Sequence, residues 1–414
     1  MKNLKTSLAA GILALSLAGV ASAANPVTIY IAGSNGDRAT TNTAIGKLLG
    51  GPGKYTFIGT NTAPDKANFG IFTGGTFNGA AVTIKVSYIG ATGGIAANAG
   101  YQTVHFVPDN PAVTGGTTAD PTTSGTADLH IPDFTLSTNF QSTSPFTGYY
   151  KGTYYETLED ELVAIIPLKW LGSKGYPGNN LTTQQAQVLF TTGAVPLALF
   201  TGSENDQHKI VYATGRNTDA GQRYIALTES GLGVNTVVKQ YKPAISGAAA
   251  GAGGFVTGGT VTSHALWPVE TFSGVNSKFL GNSGAATGAA LAPYLTATLG
   301  PVAYKLLDPD ATAGYYISYL TTGDSDTIAI PNGAVELKWN GVAYSQAALE
   351  QGQYTFWVYE HVLTRESLSG LPRDFATALT EQIRNVDAGV GGISLSNVQV
   401  SRTGEGTVVI PDYF

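Results

Sequence analysis

No cysteine occurs in the 414 residues. That excludes disulfides, thiolate metal sites and a lipid-modified N-terminal cysteine as devices for holding or anchoring the chain. Charge is also scarce: Asp, Glu, Lys and Arg make up 12% of the chain, about half the usual share. The balance is acidic, with 22 basic against 28 acidic side chains and a formal charge of −6. Nucleic acid is therefore not expected as a partner, because binding a phosphate backbone needs clustered Lys and Arg. Beyond the first residues no apolar run is long enough to cross a bilayer as a helix.

Glycine is plentiful, with 53 residues against a usual content of roughly 7%. Combined with the shortage of charge, this predicts many polar, uncharged loops. Disorder is the competing reading, and 43% hydrophobic residues at modest net charge oppose it. A chain of this length can bury a large core without covalent staples.

The opening "MKNLKTSLAAGILALSLAGVASAANP" has two lysines, an apolar stretch from Leu8 to Val20 and the small-x-small site Ala21, Ser22, Ala23. This is the pattern of a secretory signal peptide over residues 1–23. Cleavage after Ala23 leaves 391 residues at a formal charge of −8, in the periplasm or secreted.

Val27, Ile29 and Ile31 alternate with Thr28, Tyr30 and Ala32, predicting a strand that ends at "GSNGDR". Ala44, Ile45, Leu48 and Leu49 then share a helical face closed by "GGPG". The same grammar returns at Val82, Ile84, Val86 and Tyr88, leading into "IGATGGIAANAG". "LVAIIPL" from Leu162 reads as a strand covered on both faces. "NLTTQQAQVLFTTG" reads as a helix capped near Thr182 and closed at Gly193. Ala220, Tyr224 and Leu227 share another helical face, as do Phe375, Leu379 and Ile383, and "GTVVIPDYF" returns to a strand-like pattern. Alternating strands and helices predict an α/β protein with a mostly parallel sheet. The low-complexity stretches from Val113 and Ser246 read as surface loops.

Three strand-to-helix junctions are rich in Gly, Ser and Thr: 33–38, 90–94 and 215–222. Such junctions place unpaired backbone N–H groups and the positive end of a helix dipole at one sheet edge, which suits an anion. Arg216 adds a bidentate donor fork that a lysine could not match. A single glycine-rich turn is usually structural, and a lone arginine usually forms a surface ion pair. Three junctions together favour a ligand crevice at the carboxyl ends of the strands.

In these stretches the chain resembles the periplasmic solute-binding proteins of the phosphate-binding type, two-lobed receptors that feed ABC transporters. "IYIAGSNGDRATTNTAIGKLL" is similar to that family's first strand, binding turn and helix, and "VSYIGATGGIAA" to its second binding turn. "ELVAIIPLKWLG" with "NLTTQQAQVLFTTG" resembles the crossing strand and helix of the second lobe. "GYYISYL" and "QYTFWVYEHVL" resemble the return strand and the late segment of the first lobe.

The resemblance implies a type II periplasmic-binding-protein-like fold, two lobes of mixed, mostly parallel sheets flanked by helices. Lobe one is expected over 24–160 and 325–414, lobe two over 161–324. It also implies a small-molecule ligand, a phosphate-like oxyanion, and an ABC permease as partner. Carried over position by position, Ser34 and Asn35 fall in the first binding turn and Thr92 and Gly93 in the second. "DFTLST" from Asp133 stands where the family commonly has Asp-Phe-Gly-Ala-Ser-Asp, so Ser137 matches while Thr138 replaces the second carboxylate. In the family's pattern an arginine is followed, after three residues, by Ser-Gly-Thr. Arg216 and Gly221 keep that pattern, while Ala220 and Gln222 depart from it. Without the carboxylate, the family's way of requiring a protonated anion is lost.

No enzymatic activity, cofactor or metal is expected: neither a G-x-S-x-G elbow nor a nucleotide phosphate loop occurs. His105, His130, His208, His264 and His361 lack close metal-ligand spacing. "DSD" at Asp324 to Asp326 reads as a turn, and Glu156, Glu159, Asp160 and Glu161 as a solvated edge. Two alternatives stand beside the binding protein: a secreted or surface interaction protein on the same scaffold, and an outer-membrane β-barrel. The barrel would need many ten-residue stretches of sustained alternation.

Overall fold

The computed structural model describes residues 26–36, 38–50, 54–58, 67–109, 128–250, 255–272, 275–276 and 279–412. The expected signal segment and the low-complexity stretch from Val113 up to Asp128 lie outside them.

Alternating apolar residues at Val27–Gly33 form β1, and the helical face at Ala44 and Ile45 belongs to α1, Arg38–Leu48. Then come β2 (Lys54–Ile58), β3 (Phe69–Phe77), β4 (Ala80–Ser87), α2 (Ala91–Ala99) and β5 (Phe134–Ser137). The apolar run from Leu162 lies in a 14-residue strand, β6 (Glu159–Gly172), buried continuously from Val163 onward. Next are β7 (Asn180–Leu181), α3 (Thr183–Thr192), β8 (Ala194–Pro196), β9 (Lys209–Ala213) and α4 (Gly221–Glu229). The chain continues through α5 (Gly288–Thr296), β10 (Ala313–Thr321), β11 (Val335–Trp339), β12 (Trp357–Thr364) and α6 (Gly370–Gln382). The α3 start is a capping box: Thr182 accepts from the Gln185 N–H and the Gln185 side chain accepts from the Thr182 N–H.

All twelve strands belong to one open, mixed sheet in the order β8-β9-β10-β6-β12-β5-β1-β4-β3-β2, with β11 joining β6 to β7. The fold class is α/β, and an open sheet flanked by helices is not a barrel. Strand direction differs from the mostly parallel expectation. Within this sheet four pairings are parallel, β1–β4, β1–β5, β9–β10 and β7–β11. Seven are antiparallel. The reason is topological: β2–β3–β4 is a meander, and β6 and β12 run against their neighbours.

β6 makes two half-sheets one. Its first part, Glu159–Pro167, pairs with β12, and its last part, Leu168–Gly172, pairs with β10. At the changeover Trp170 is fully buried, stacked on Phe356 at 4.8 Å and Trp339 at 5.4 Å. β11 pairs with the far end of β6, so the chain re-enters the first half-sheet at β12, beyond residue 325. Helices cover both faces. Ala44 and Ile45 of α1 and Phe375 and Leu379 of α6 pack on one face of the first half-sheet, and Ile95 of α2 belongs to a separate cluster with Leu363. In the second half, Leu189 and Ile225 of α3 and α4 share one core, while Leu291 and Leu295 of α5 share another.

Three local expectations change. The Ser246 stretch includes a small hairpin, Ala249–Ala250 with Val256–Thr257. At the C-terminus only Ile410–Pro411 forms a ladder, with Val400–Ser401 and off the main sheet. The acidic run at Glu159, Asp160 and Glu161 is solvent-exposed as read, but it opens β6 itself rather than forming a helix or loop before it. There Glu159 meets Arg373 at 2.5 Å, Glu161 meets Arg384 at 2.6 Å and Asp160 meets the buried His361 at 2.7 Å.

Candidate functional site

β1 pairs in parallel register with β4 on one side and β5 on the other, Ala32 opposite Ser87 and Gly33 opposite Leu136. Their carboxyl ends therefore open at one edge. Ser34, Tyr88 to Gly90, and Thr138 with Asn139 follow side by side. From the second half-sheet, β9 leads through 214–220 into α4, and Gly221 and Gln222 arrive opposite these turns.

The two halves touch there. The Thr92 N–H donates to the Asp219 carbonyl at 3.0 Å. A side chain on Gly221 would place its Cβ 2.9 Å from Asn139 Oδ1, 3.0 Å from Ala91 Cβ and nearer still to Thr138 Oγ1. Gly90 has φ of +104° and a Cβ there would lie 3.1 Å from Asp219 Cβ and closer to its carbonyl, so both geometry and space call for glycine. Gly36 sits between the halves as well, its hypothetical Cβ 3.3 Å from Thr138 Cγ2 and 3.7 Å from Gln222 Nε2.

The sequence-predicted residues divide by what their polar atoms do. Ser34, Thr138, Gly221 and Gln222 meet around Gly36. Ser34 Oγ accepts from the Gly36 N–H at 3.0 Å. Thr92 Oγ1 donates to Asn139 Oδ1 at 3.3 Å, and Gly93 is buried in the same first turn of α2. Ser137 is occupied by its own turn, donating to the Asn139 carbonyl at 2.7 Å and accepting from the Asn139 N–H at 3.1 Å. Asn35 turns aside, donating to the Tyr88 carbonyl at 2.5 Å and to Asn68 Oδ1 at 3.3 Å.

Arg216 is 1% exposed. Its Nε donates to the Ala285 carbonyl at 3.0 Å, Nη2 to the Ala286 carbonyl at 2.8 Å and Nη1 to Gln222 Oε1 at 2.6 Å. No carboxylate stands within ion-pair distance of it among the described residues. Burial pushes its guanidinium down to about 10, a loss that the more distant charge of Asp324 partly opposes. It therefore stays cationic at neutral pH in a desolvated place.

Several groups at this edge were not singled out from the sequence. Arg38 starts α1, is 5% exposed and donates to Asn68 Oδ1 at 2.6 Å. Its place at the end of the "GSNGDR" junction was the available signal. Arg223, one position past the recognised pattern, is 2% exposed and donates to the Arg216 carbonyl at 3.2 Å and Asn282 Oδ1 at 2.6 Å. Asp324 and Asp326, read as part of a turn, lie in helical turns, Thr322–Asp324 followed by a π-turn at Ser325–Ala329. Asp324 lies against Gly288, and Asp326 accepts from Lys169 at 2.8 Å. Asn35, Gly36, Arg38 and Asp324 line a cavity of about 210 Å³ beside the junction.

The histidines fall elsewhere. His264 is buried against Tyr316, with Nδ1 2.6 Å from its hydroxyl, and His208 faces Asp308 at 2.9 Å. No helix among the described residues is long and apolar enough to cross a membrane.

An open α/β sheet with glycine-rich turns gathered at strand carboxyl ends is the class that the chain's own topology defines. No family model matches the sequence, and no curated protein matches it. Among solved structures the chain is similar to an ABC-type phosphate transport receptor from Vibrio cholerae, at 12% identity over 88% of this chain and 99% of the other, TM-score 0.44. It is also similar to PstS from Borrelia burgdorferi, at 9% identity over 89% and 98%, TM-score 0.38. A phosphate binding protein from Stenotrophomonas maltophilia matches at 14% identity over 82% and 79%, TM-score 0.35.

Proposed function

We propose that the chain is an exported solute-binding protein that takes a small oxyanion, phosphate or a relative, between two lobes built on the half-sheets. It would deliver that ligand to an ABC permease after hinge closure. No covalent chemistry is part of this reading. The observation that carries it is the meeting of the first-turn residues of α2 and α4, each helix nine residues long, beside Arg216, a buried cation with no carboxylate partner. Oriented N–H groups and an uncompensated guanidinium favour an anion for the same reason: both present positive potential where water is scarce. Thr138 in place of a carboxylate does not require a proton on the anion, because its hydroxyl can donate to an ionised oxygen or accept from a protonated one.

A second reading has its own support. The printed donors of Arg216 reach carbonyls and Gln222, and the Thr92 N–H reaches Asp219, so the junction is knit by the chain itself. A secreted interaction protein on this scaffold would keep such a closed junction without needing a ligand.

Thermal unfolding against phosphate, sulfate, other oxyanions, sugars and amino acids separates the two. A ligand at about a hundred times its dissociation constant adds ~2.7 kcal/mol. The binding reading expects a higher midpoint with one oxyanion alone; no shift with any oxyanion leaves the interaction reading.

A further inference from the structure

Next to the junction, but opening outward, is a larger cavity of about 370 Å³. Its walls come from a small hairpin outside the main sheet and from α4 with the loops around it. Tyr150 and Lys151 belong to the hairpin Gly148–Tyr150 with Thr153–Tyr155, while Thr218, Arg223, Val237 and Asn282 belong to the second half. The volume lies in the range of small-molecule sites.

Three features of this wall point the same way. First, Lys151 and Arg223 are the charged residues lining the cavity among the described residues, and no described Asp or Glu lines it. Second, Arg223 is 2% exposed, and its two hydrogen bonds go to neutral oxygens, the Arg216 carbonyl and Asn282 Oδ1. A guanidinium has five donors, and one buried without a carboxylate keeps a net positive field where water cannot screen it. Burial lowers its proton affinity for that reason, without removing the charge at neutral pH. Third, Thr218 is 5% exposed and its buried hydroxyl has no hydrogen-bond partner, an unusual state for a polar group in a folded protein. The rest of the wall is mixed: Pro145, Tyr150, Tyr224, Val234, Val237 and Phe279 supply apolar or aromatic surface, and Asn235, Thr236 and Asn282 supply polar groups.

The geometry points to a second ligand site, distinct from the junction around Gly36, that takes an organic anion: an anionic head on Arg223 and Lys151 and a ring-sized apolar body against Tyr150 and the valines. Bare inorganic anions would leave the apolar wall uncovered. An occupant would bridge the hairpin and α4.

The test is calorimetric titration of the full chain with phenyl phosphate, in buffer and again with excess inorganic phosphate. Saturable binding that survives inorganic phosphate is expected. Lys151→Glu should weaken it by about tenfold or more, the scale of one charge-assisted contact turned repulsive. Its thermal midpoint should match the parent, since Lys151 is exposed. Thr218→Val, close in shape, should weaken it severalfold. The assignment is overturned if phenyl phosphate gives no saturable heat, if inorganic phosphate displaces it competitively, or if Lys151→Glu binds as the parent does. If no inorganic oxyanion gives heat while phenyl phosphate binds through Lys151, the junction reading fails and this one stands.

Discussion

Replacing Gly221 by alanine probes the meeting of the half-sheets with one methyl group. The added Cβ would lie 2.9 Å from Asn139 Oδ1, 3.0 Å from Ala91 Cβ and closer to Thr138 Oγ1, all on the opposite side. Gly221 opens α4, where alanine would otherwise favour the helix by about 1 kcal/mol. None of the three neighbours can easily give way. Ala91 carries its Cβ directly on the first turn of α2, and Asn139 is fixed by Ser137 on its N–H and carbonyl. Overpacking of this kind costs about 1–3 kcal/mol, so after the helix gain the expected net loss is up to about 2 kcal/mol. Equilibrium urea unfolding should show a lower midpoint at unchanged slope. Thr138→Ala removes the nearest obstructing atom, so the double variant should recover part of the loss, with a coupling of about 1 kcal/mol. A Gly221→Ala protein as stable as the parent, with additive behaviour in the double variant, would refute the close approach.

Two further outcomes follow from buried groups and caps. Burial pushes the His264 imidazole down to about 4 from its ordinary 6.5. Its folded form therefore resists the proton that the unfolded chain accepts. Stability present above pH 6.5 should fall as pH drops towards 4, by about 3 kcal/mol at most. His264→Gln should flatten that slope in acid titrations of unfolding; an unchanged slope would show that other groups set it. Thr182→Ala removes the capping box of α3 and should cost about 1 kcal/mol in the same urea assay, whereas Thr182→Ser, which keeps the capping hydroxyl, should leave stability within a few tenths of the parent.

Periodicity and caps made much of the scaffold readable. β1, α1, the both-face burial of β6, the Thr182 box and the Phe375–Ile383 face all follow from residue spacing within one element. Strand direction was not readable, because a 2-residue alternation is the same in either sense. β6 and β12 run antiparallel for reasons set by connections, not by their own sequences. The glycine-rich junctions did mark the place where the turns gather. What each donor does there was hidden, since the partners are remote: Arg216 bonds carbonyls 69 and 70 positions away. Ser137, expected as a ligand donor, bonds the backbone of Asn139 two residues on, a local partner that its place in the motif did not reveal. Asp324 looked like a turn residue because three small or acidic positions carry no helical period, yet packing against Gly288 places it near Arg216.

Calorimetric titration of inorganic phosphate and sulfate into the parent chain and into Arg216→Lys addresses the junction most directly. Lysine keeps the charge but not the fork that reaches Ala285, Ala286 and Gln222 together. The account predicts saturable one-to-one binding of one oxyanion by the parent, weakened at least about tenfold in Arg216→Lys. Absence of heat from every oxyanion with the parent, or equal affinity in the two proteins, would contradict it.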